Sequence, residues 1–221
     1  MFYRTPEAVY RFSELDQFPW LEHGFGTRHS ALPDNLATVK QVHSADVVVA
    51  DGRTGVLGQA DAIVGHGSPI LIGIKTADCL PILLVDPVNR ALGVVHAGWR
   101  GTAAKIAVKA IREMRERFGS HPARMHAAMG PCIGSCCFEI GDEVAEQFED
   151  YFGAISHRNP RPHLDLVQVN HHQLHFAGIP KLQIYDSGQC TMCRTDDFYS
   201  YRKEKEQAGR MVAFAGLNRN R

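Results

Sequence analysis

The chain has 221 residues, 44% hydrophobic and 22% charged, and its 24 Lys plus Arg balance 24 Asp plus Glu for a formal net charge of zero. That balance leaves no cationic surplus for general nucleic-acid or anionic-membrane binding, and a single domain over residues 1–221 buries enough apolar surface to need no staples. No apolar signal-peptide core stands at the start and the apolar runs are too short to cross a bilayer, so a cytoplasmic location is expected, with no obligate protein partner evident and the six cysteines reduced.

In chain order, β-type runs are predicted at Ala45 to Ala50, Ala62 to Val64 and Ile70 to Lys75. Leu80 to Val85 and Arg90 to His96 are apolar on both faces, which predicts central strands covered on both sides. A helix is predicted from Thr102 to Phe118. Its apolar positions Ala103, Ala107, Ala110, Ile111, Met114 and Phe118 recur at helical spacing, and Gly119 stops it. Met125 to Met129 reads as a strand, Asp142 to Tyr151 and Leu164 to Ala177 as helices, and Lys181 to Tyr185 and Arg210 to Ala215 as strands. Strands and helices mix without strict alternation, so the predicted fold class is α+β, in mixed α/β layers.

The segment from Thr76 to His96 carries the most chemistry. Asp86-Pro87-Val88-Asn89 is turn chemistry: Asp caps, Pro fixes φ at the second position, and Asn tolerates the left-handed region. A four-residue loop there pairs Val85 with Arg90 and, counting outward, Cys79 with His96. Opposed residues on an antiparallel pair share one face with Cβ atoms about 4.5–5.5 Å apart, so this register brings a thiol and an imidazole together beside Asp78. Taken singly, such a Cys is a small buried hydrophobe and such a His a hydrogen-bonded strand residue; as a pair they form a candidate site.

Ala97-Gly98-Trp99-Arg100-Gly101-Thr102 follows His96 as a strand-to-helix turn. Turns of this kind present free N–H groups and the positive end of a helix to an anion. Arg100 adds a planar guanidinium that binds phosphate or carboxylate through two bonds. A tight turn with a solvated Arg is the plain alternative.

Gln41-Val42-His43, Thr76-Ala77-Asp78-Cys79-Leu80-Pro81 and His96-Ala97-Gly98-Trp99-Arg100-Gly101 resemble the three signature motifs of the laccase-domain family, whose members also appear as multicopper polyphenol oxidase, purine nucleoside phosphorylase and peptidoglycan editing factor. Further matches are Gly130-Pro131-Cys132-Ile133-Gly134, Cys137-Phe138-Glu139-Ile140-Gly141, Leu164-Asp165-Leu166, Cys190-Thr191, Phe198-Tyr199-Ser200-Tyr201-Arg202 and Gly209-Arg210. The resemblance runs from about Gly24 to Leu217. It implies β-sheets flanked by helices and one zinc held by His43, Cys79 and His96. Two imidazoles and a thiolate do form a three-ligand set that leaves a fourth position open for water or substrate. One departure stands out: only His29 to Lys40 separates Thr27-Arg28 from Gln41, so an Asn-Leu-rich stretch and the helix after it, which help wall the pocket in relatives, are missing.

The activity that the resemblance implies is phosphorolysis of purine nucleosides (adenosine, inosine, guanosine or methylthioadenosine), with deamination of adenosine beside it. Arg100, with Arg28 or Arg202, suits phosphate; Glu139 or Asp78 suits the sugar or the base; zinc-bound water suits deamination. The alternative is hydrolase or amidase chemistry on peptidoglycan precursors, with Cys79 a nucleophile activated by His96 or with zinc hydroxide as the attacking group.

A laccase needs several His-x-His pairs, and the chain has none. His171, His172 and His175 lie on a predicted helix without an evident third ligand and read as a solvated face. A non-catalytic reading gathers Cys132, Cys136, Cys190 and Cys193 into a structural zinc site.

Overall fold

Every residue of the two central strands, Leu80–Asp86 and Ala91–Ala97, is buried, and these strands organise the molecule. The computed structural model describes residues 1–67, 69–157 and 161–218. Among these, the strands in chain order are β1 (Phe2–Arg4), β2 (Val9–Phe12), β3 (Leu21–Gly26), β4 (Leu36–Lys40), β5 (Val47–Val49), β6 (Gly55–Gln59), β7 (Ala62–His66), β8 (Leu71–Thr76), β9 (Leu80–Asp86), β10 (Ala91–Ala97), β11 (His126–Met129), β12 (Ile155–His157), β13 (Pro162–Leu164), β14 (Ile184–Asp186) and β15 (Met211–Leu217). The helices are α1 (Trp99–Ala103), α2 (Ile106–Phe118), α3 (Asp142–Ala145), α4 (Leu166–Phe176) and α5 (Tyr201–Glu204).

A seven-stranded sheet runs β1-β2-β3-β15-β8-β4-β6, and a six-stranded sheet runs β14-β11-β9-β10-β7-β5. Strand alternation explains how they stack. Leu83, Val85, Leu92 and Val94 point from the six-stranded sheet toward Phe12, Phe25, Ile74 and Ala213 of the other. Leu80, Ile82, Leu84 and Val95 point the opposite way and meet Ile106, Ala110 and Met114 of α2 and Val169 and Leu174 of α4. The layers are therefore sheet, sheet and helices, a mixed α+β fold with sheets flanked by helices, as the sequence pattern and the resemblance led us to expect. No helix among the described residues is long and apolar enough to cross a membrane.

Several elements depart from the sequence expectation, among them the strand predicted from Lys181, which opens as a 3₁₀ turn over Lys181–Gln183, and the helix predicted from Asp142, which passes into a 3₁₀ turn at Glu146. The helix predicted from Thr102 is two: Lys105 adopts φ 58°, in the left-handed region, between α1 and α2. The helix predicted from Leu164 starts later, because Pro162–Leu164 pairs with Ile155–His157 and Asp165 caps α4 by accepting from Gln168 N at 2.9 Å. In the β9–β10 hairpin Asp86 caps the turn, accepting from Val88 N and Asn89 N. Arg90 nevertheless joins the loop at φ 51° instead of pairing with Val85. Val85 pairs with Leu92, and His96 lies opposite Pro81, not Cys79. A slip of two residues preserves side-chain faces, so Cys79 stays on the His96 side, one diagonal step along.

Candidate active site

Each of the three expected ligands sits at the end of a strand. His43 follows β4 in the Gln41-Val42-His43 turn, Cys79 immediately precedes β9, and His96 is the penultimate residue of β10. Their ligand atoms all lie within 4.8 Å of one another, close enough to share one metal at bond lengths of about 2.0–2.3 Å. The His43 and His96 rings meet edge to face, with centroids 5.1 Å apart. Gly98 makes this convergence possible: a Cβ there would stand 3.0 Å from Cys79 Sγ and 3.5 Å from His43 Cδ2. The register slip is thus what puts a glycine, rather than a side chain, across from the thiol.

Asp61, between β6 and β7, organises the cluster, and no local sequence pattern marks it. Its carboxylate accepts from the backbone N–H groups of Val42 (3.2 Å), His43 (3.0 Å) and Ser44 (2.6 Å) and from Ser44 Oγ (3.0 Å). It also accepts from His96 Nδ1 at 2.7 Å. An ionised carboxylate only accepts, so His96 carries its proton on Nδ1 and presents Nε2 to the centre. His43 holds φ 58°, a left-handed backbone costing about 1–3 kcal/mol, and the three N–H bonds to Asp61 offset that strain.

The charges interlock. Burial works against ionisation of Asp61, but the hydrogen bond from His96 and the N–H bonds bring its pKa down to about 2. Burial likewise opposes charge on Cys79 and on His96. Hydrogen bonds from His43 and His96 bring the Cys79 thiol down to about 6, while those to Asp61 and Cys79 lift His96 to about 9. Without a metal the pair is a thiolate beside an imidazolium. A divalent cation would take the proton's place on His96 Nε2 and share the thiolate.

Asp78 reaches the site in a different role from the one expected. It holds φ 85° and is 8% exposed. Its carboxylate takes Thr191 Oγ1 at 2.6 Å, Ser200 Oγ at 3.2 Å and Arg202 N at 2.6 Å, while its carbonyl takes Ile133 N at 2.8 Å. These bonds lash three segments around Cys79 and occupy the carboxylate.

A cavity of about 790 Å³ opens over the three side chains. Its wall carries five cations, Lys75, Arg100, Arg202, Lys205 and Arg210, and the rings of Trp99, Phe138 and Tyr201. The acids on it are Asp78 and Glu206, the latter accepting from Tyr201 OH at 3.1 Å. Arg100 is exposed and lies 4.2 Å over the Trp99 ring, while Arg202 donates to the Glu139 carbonyl at 3.0 Å. Arg28 and Glu139, expected at the substrate, do not line this cavity. The Arg28 guanidinium is paired with Glu204 and packed 4.5 Å over the Tyr199 ring, and the Glu139 carboxylate pairs with Arg161 at 3.7 Å. His171, His172 and His175 of α4 belong to no metal-competent cluster among the described residues.

Residues 25–218 match the family model described as multi-copper polyphenol oxidoreductase laccase. The chain belongs to this laccase family. It is similar to a purine nucleoside phosphorylase of Deinococcus radiodurans, 40% identical over 188 residues that cover 84% of this chain and 72% of the relative. It is also similar to adenosine deaminase RL5 of an unknown prokaryotic organism, 40% identical over 201 residues, covering 84% and 76%. The crystal structure of the hypothetical protein YfiH from Bacillus licheniformis superposes with a TM-score of 0.89 at 27% identity, covering 98% of this chain and 99% of that one. Within the laccase family, the His43, Cys79 and His96 set has a single thiolate and no His-x-His pair, unlike the several paired histidines a multicopper cluster requires.

Proposed function

We propose that the chain is a zinc-dependent purine nucleoside phosphorylase, acting on adenosine, inosine, guanosine or methylthioadenosine. One observation carries the reading: a set of two imidazoles and a thiolate on the floor of a cavity whose wall is cationic and aromatic. That combination suits a substrate with a flat base and a co-substrate that is an anion. One relative at 40% identity is named a purine nucleoside phosphorylase and another an adenosine deaminase, so both names point to purine nucleosides.

Phosphate attacks the anomeric carbon of ribose as the bond from that carbon to the purine breaks, giving free base and a ribose 1-phosphate. Arg100 and Arg202 hold the phosphate, with Lys75 contributing charge across the cavity. Trp99, Phe138 and Tyr201 offer ring faces to the purine. His43, Cys79 and His96 hold the zinc, which supplies a Lewis acid for a substrate oxygen or for water. Asp61 orients His96 and the His43 turn, and Asp78 fixes the approach of Cys79. Arg28 supports from behind the wall: it holds Glu204, which accepts from Ser200 N, and Ser200 Oγ donates to Asp78.

Incubation with a nucleoside panel, with and without phosphate, tests the reading. Free base and ribose 1-phosphate that form only with phosphate support it. Turnover that ignores phosphate overturns it and favours the second reading, deamination of adenosine, which the likeness to an adenosine deaminase and the fourth position that a three-ligand set leaves for water support. Ammonia release in phosphate-free buffer is its signature.

A further inference from the structure

A second group of side chains converges about a different point. Cys136, Cys137, Cys190 and Cys193 each place Sγ within 4.8 Å of the other three. We propose that these four thiolates form a second, structural site for a thiophilic divalent cation, zinc by its chemistry, that pins together the two turns flanking the cavity.

The separations favour a metal over a disulfide. Cys136 Sγ lies 3.6 Å and Cys137 Sγ 3.4 Å from Cys193 Sγ. A tetrahedron with zinc–sulfur bonds of 2.3 Å has edges of about 3.8 Å, whereas a disulfide closes to about 2.05 Å. None of the six cysteines is bridged. Packing does not explain the convergence either. Cys136 and Cys193 are exposed and the other two half-buried, whereas thiols used for packing are among the most buried side chains. Cys190 Sγ also accepts from Gly134 N at 3.3 Å, the kind of backbone bond that neutralises part of a thiolate's charge.

The backbone accounts for the ligand set. Cys137 N and Phe138 N both bond to the Gly134 carbonyl at 2.9 Å, which curls the chain and brings the adjacent Cys136 and Cys137 side chains to one point. The Cys190-x-x-Cys193 turn supplies the other two, closed by Arg194 N on Cys190 O at 3.1 Å. Cys132, expected as a ligand, is not one. It is 2% exposed within the core on the helix side, so Cys137 takes its place. The location gives the clamp a purpose: Phe138, next to Cys137, lines the cavity, and Thr191, next to Cys190, holds Asp78 beside Cys79.

Native mass spectrometry of zinc-loaded wild type, the double variant Cys136→Ser/Cys193→Ser and Cys79→Ser tests the proposal. Two zinc ions are expected in wild type and one in each variant, and the double variant should melt earlier. Both substituted side chains are exposed, so serine leaves the core intact. Cobalt loading of wild type gives a check that needs no variant, since a tetrathiolate site adds sulfur-to-metal charge-transfer absorption beyond that of a one-thiolate site. One ion in wild type that Cys79→Ser removes overturns the proposal, as does a denatured, metal-free chain with fewer than six titratable thiols. One ion that survives Cys79→Ser and disappears from the double variant supports this site and overturns the assignment of zinc to His43, Cys79 and His96.

Discussion

Asp61 Oδ1 lies 2.7 Å from His96 Nδ1, and the same carboxylate holds the backbone of the His43 turn. Two of the three proposed ligands therefore depend on one fully buried acid. Asp61→Asn puts an amide where a charge accepted five hydrogen bonds. We expect zinc affinity to fall about 10–100-fold, measured by competition with a chromophoric chelator. Unchanged affinity would mean that the turn and the His96 ring hold their places without the charge.

The ligands should separate by stability. His43 is exposed, so His43→Ala should lose zinc and activity with little change in the melting temperature of the metal-free protein. His96 is 4% exposed and bonded to Asp61. His96→Ala removes a charge-assisted bond from a buried carboxylate that keeps its four other donors, which costs about 1.5–3 kcal/mol. Equal melting temperatures for the two metal-free variants would count against the Asp61–His96 pair as drawn.

Much of this arrangement was legible, and the failures have physical causes. Two-faced apolar runs marked β9 and β10, and the Asp86-Pro87 turn joined them. Their register was misread because Arg90, rather than Asn89, completes the loop in the left-handed region. His43 was visible only through resemblance, since nothing local ties it to a hairpin it meets in space. Asp61 was invisible because its partners, the Val42 to Ser44 segment 17 to 19 residues before it and the His96 ring 35 residues after it, leave no local pattern. The strands β1 to β3 went unread: β1 and β2 are short, and β3 carries His23 and two glycines among its six residues.

Arg100 is the exposed cation on the cavity wall nearest in sequence to His96, and its side chain stacks on Trp99 without an ion pair among the described residues. Hydrogen bonds to charged groups contribute about 1.5–3 kcal/mol. Arg100→Ala should therefore raise KM for phosphate about 10–100-fold while stability stays within about 0.5 kcal/mol of wild type. Full phosphorolysis by the variant at low phosphate would remove Arg100 from the anion site.

His23 should make stability depend on pH. It is 1% exposed, its Nε2 accepts from Phe12 N at 3.3 Å, and burial, with Arg11 nearby, lowers its pKa to about 4. An unfolded histidine titrates near 6.5, so between these values the unfolded chain binds the proton and the folded one does not. The contribution is complete above pH 6.5 and is lost as pH falls through 4, about 3 kcal/mol in all at 1.36 kcal/mol per unit. His23→Gln keeps an acceptor for Phe12 N and does not titrate. Denaturant curves for variant and wild type should diverge by that amount from pH 7 to pH 4; parallel curves would show that His23 carries none of the acid sensitivity.

Alkylation of Cys79 distinguishes a metal-bound thiolate from a free nucleophile. In metal-free protein the hydrogen bonds from His43 and His96 outweigh burial and hold the thiol near 6, so at pH 7 it is largely thiolate. Iodoacetamide should then modify Cys79 ahead of Cys132, whose thiol burial pushes well up, and the rate should drop as pH falls below 6. Zinc loading should suppress the reaction, because the sulfur lone pairs are committed to the metal. Peptide mapping after a short exposure, with and without zinc, reads both effects at once. If zinc leaves the Cys79 rate unchanged while activity persists in metal-free protein, the thiolate–imidazolium pair is itself the reactive centre, and Cys79 is the nucleophile of a hydrolase instead of a ligand.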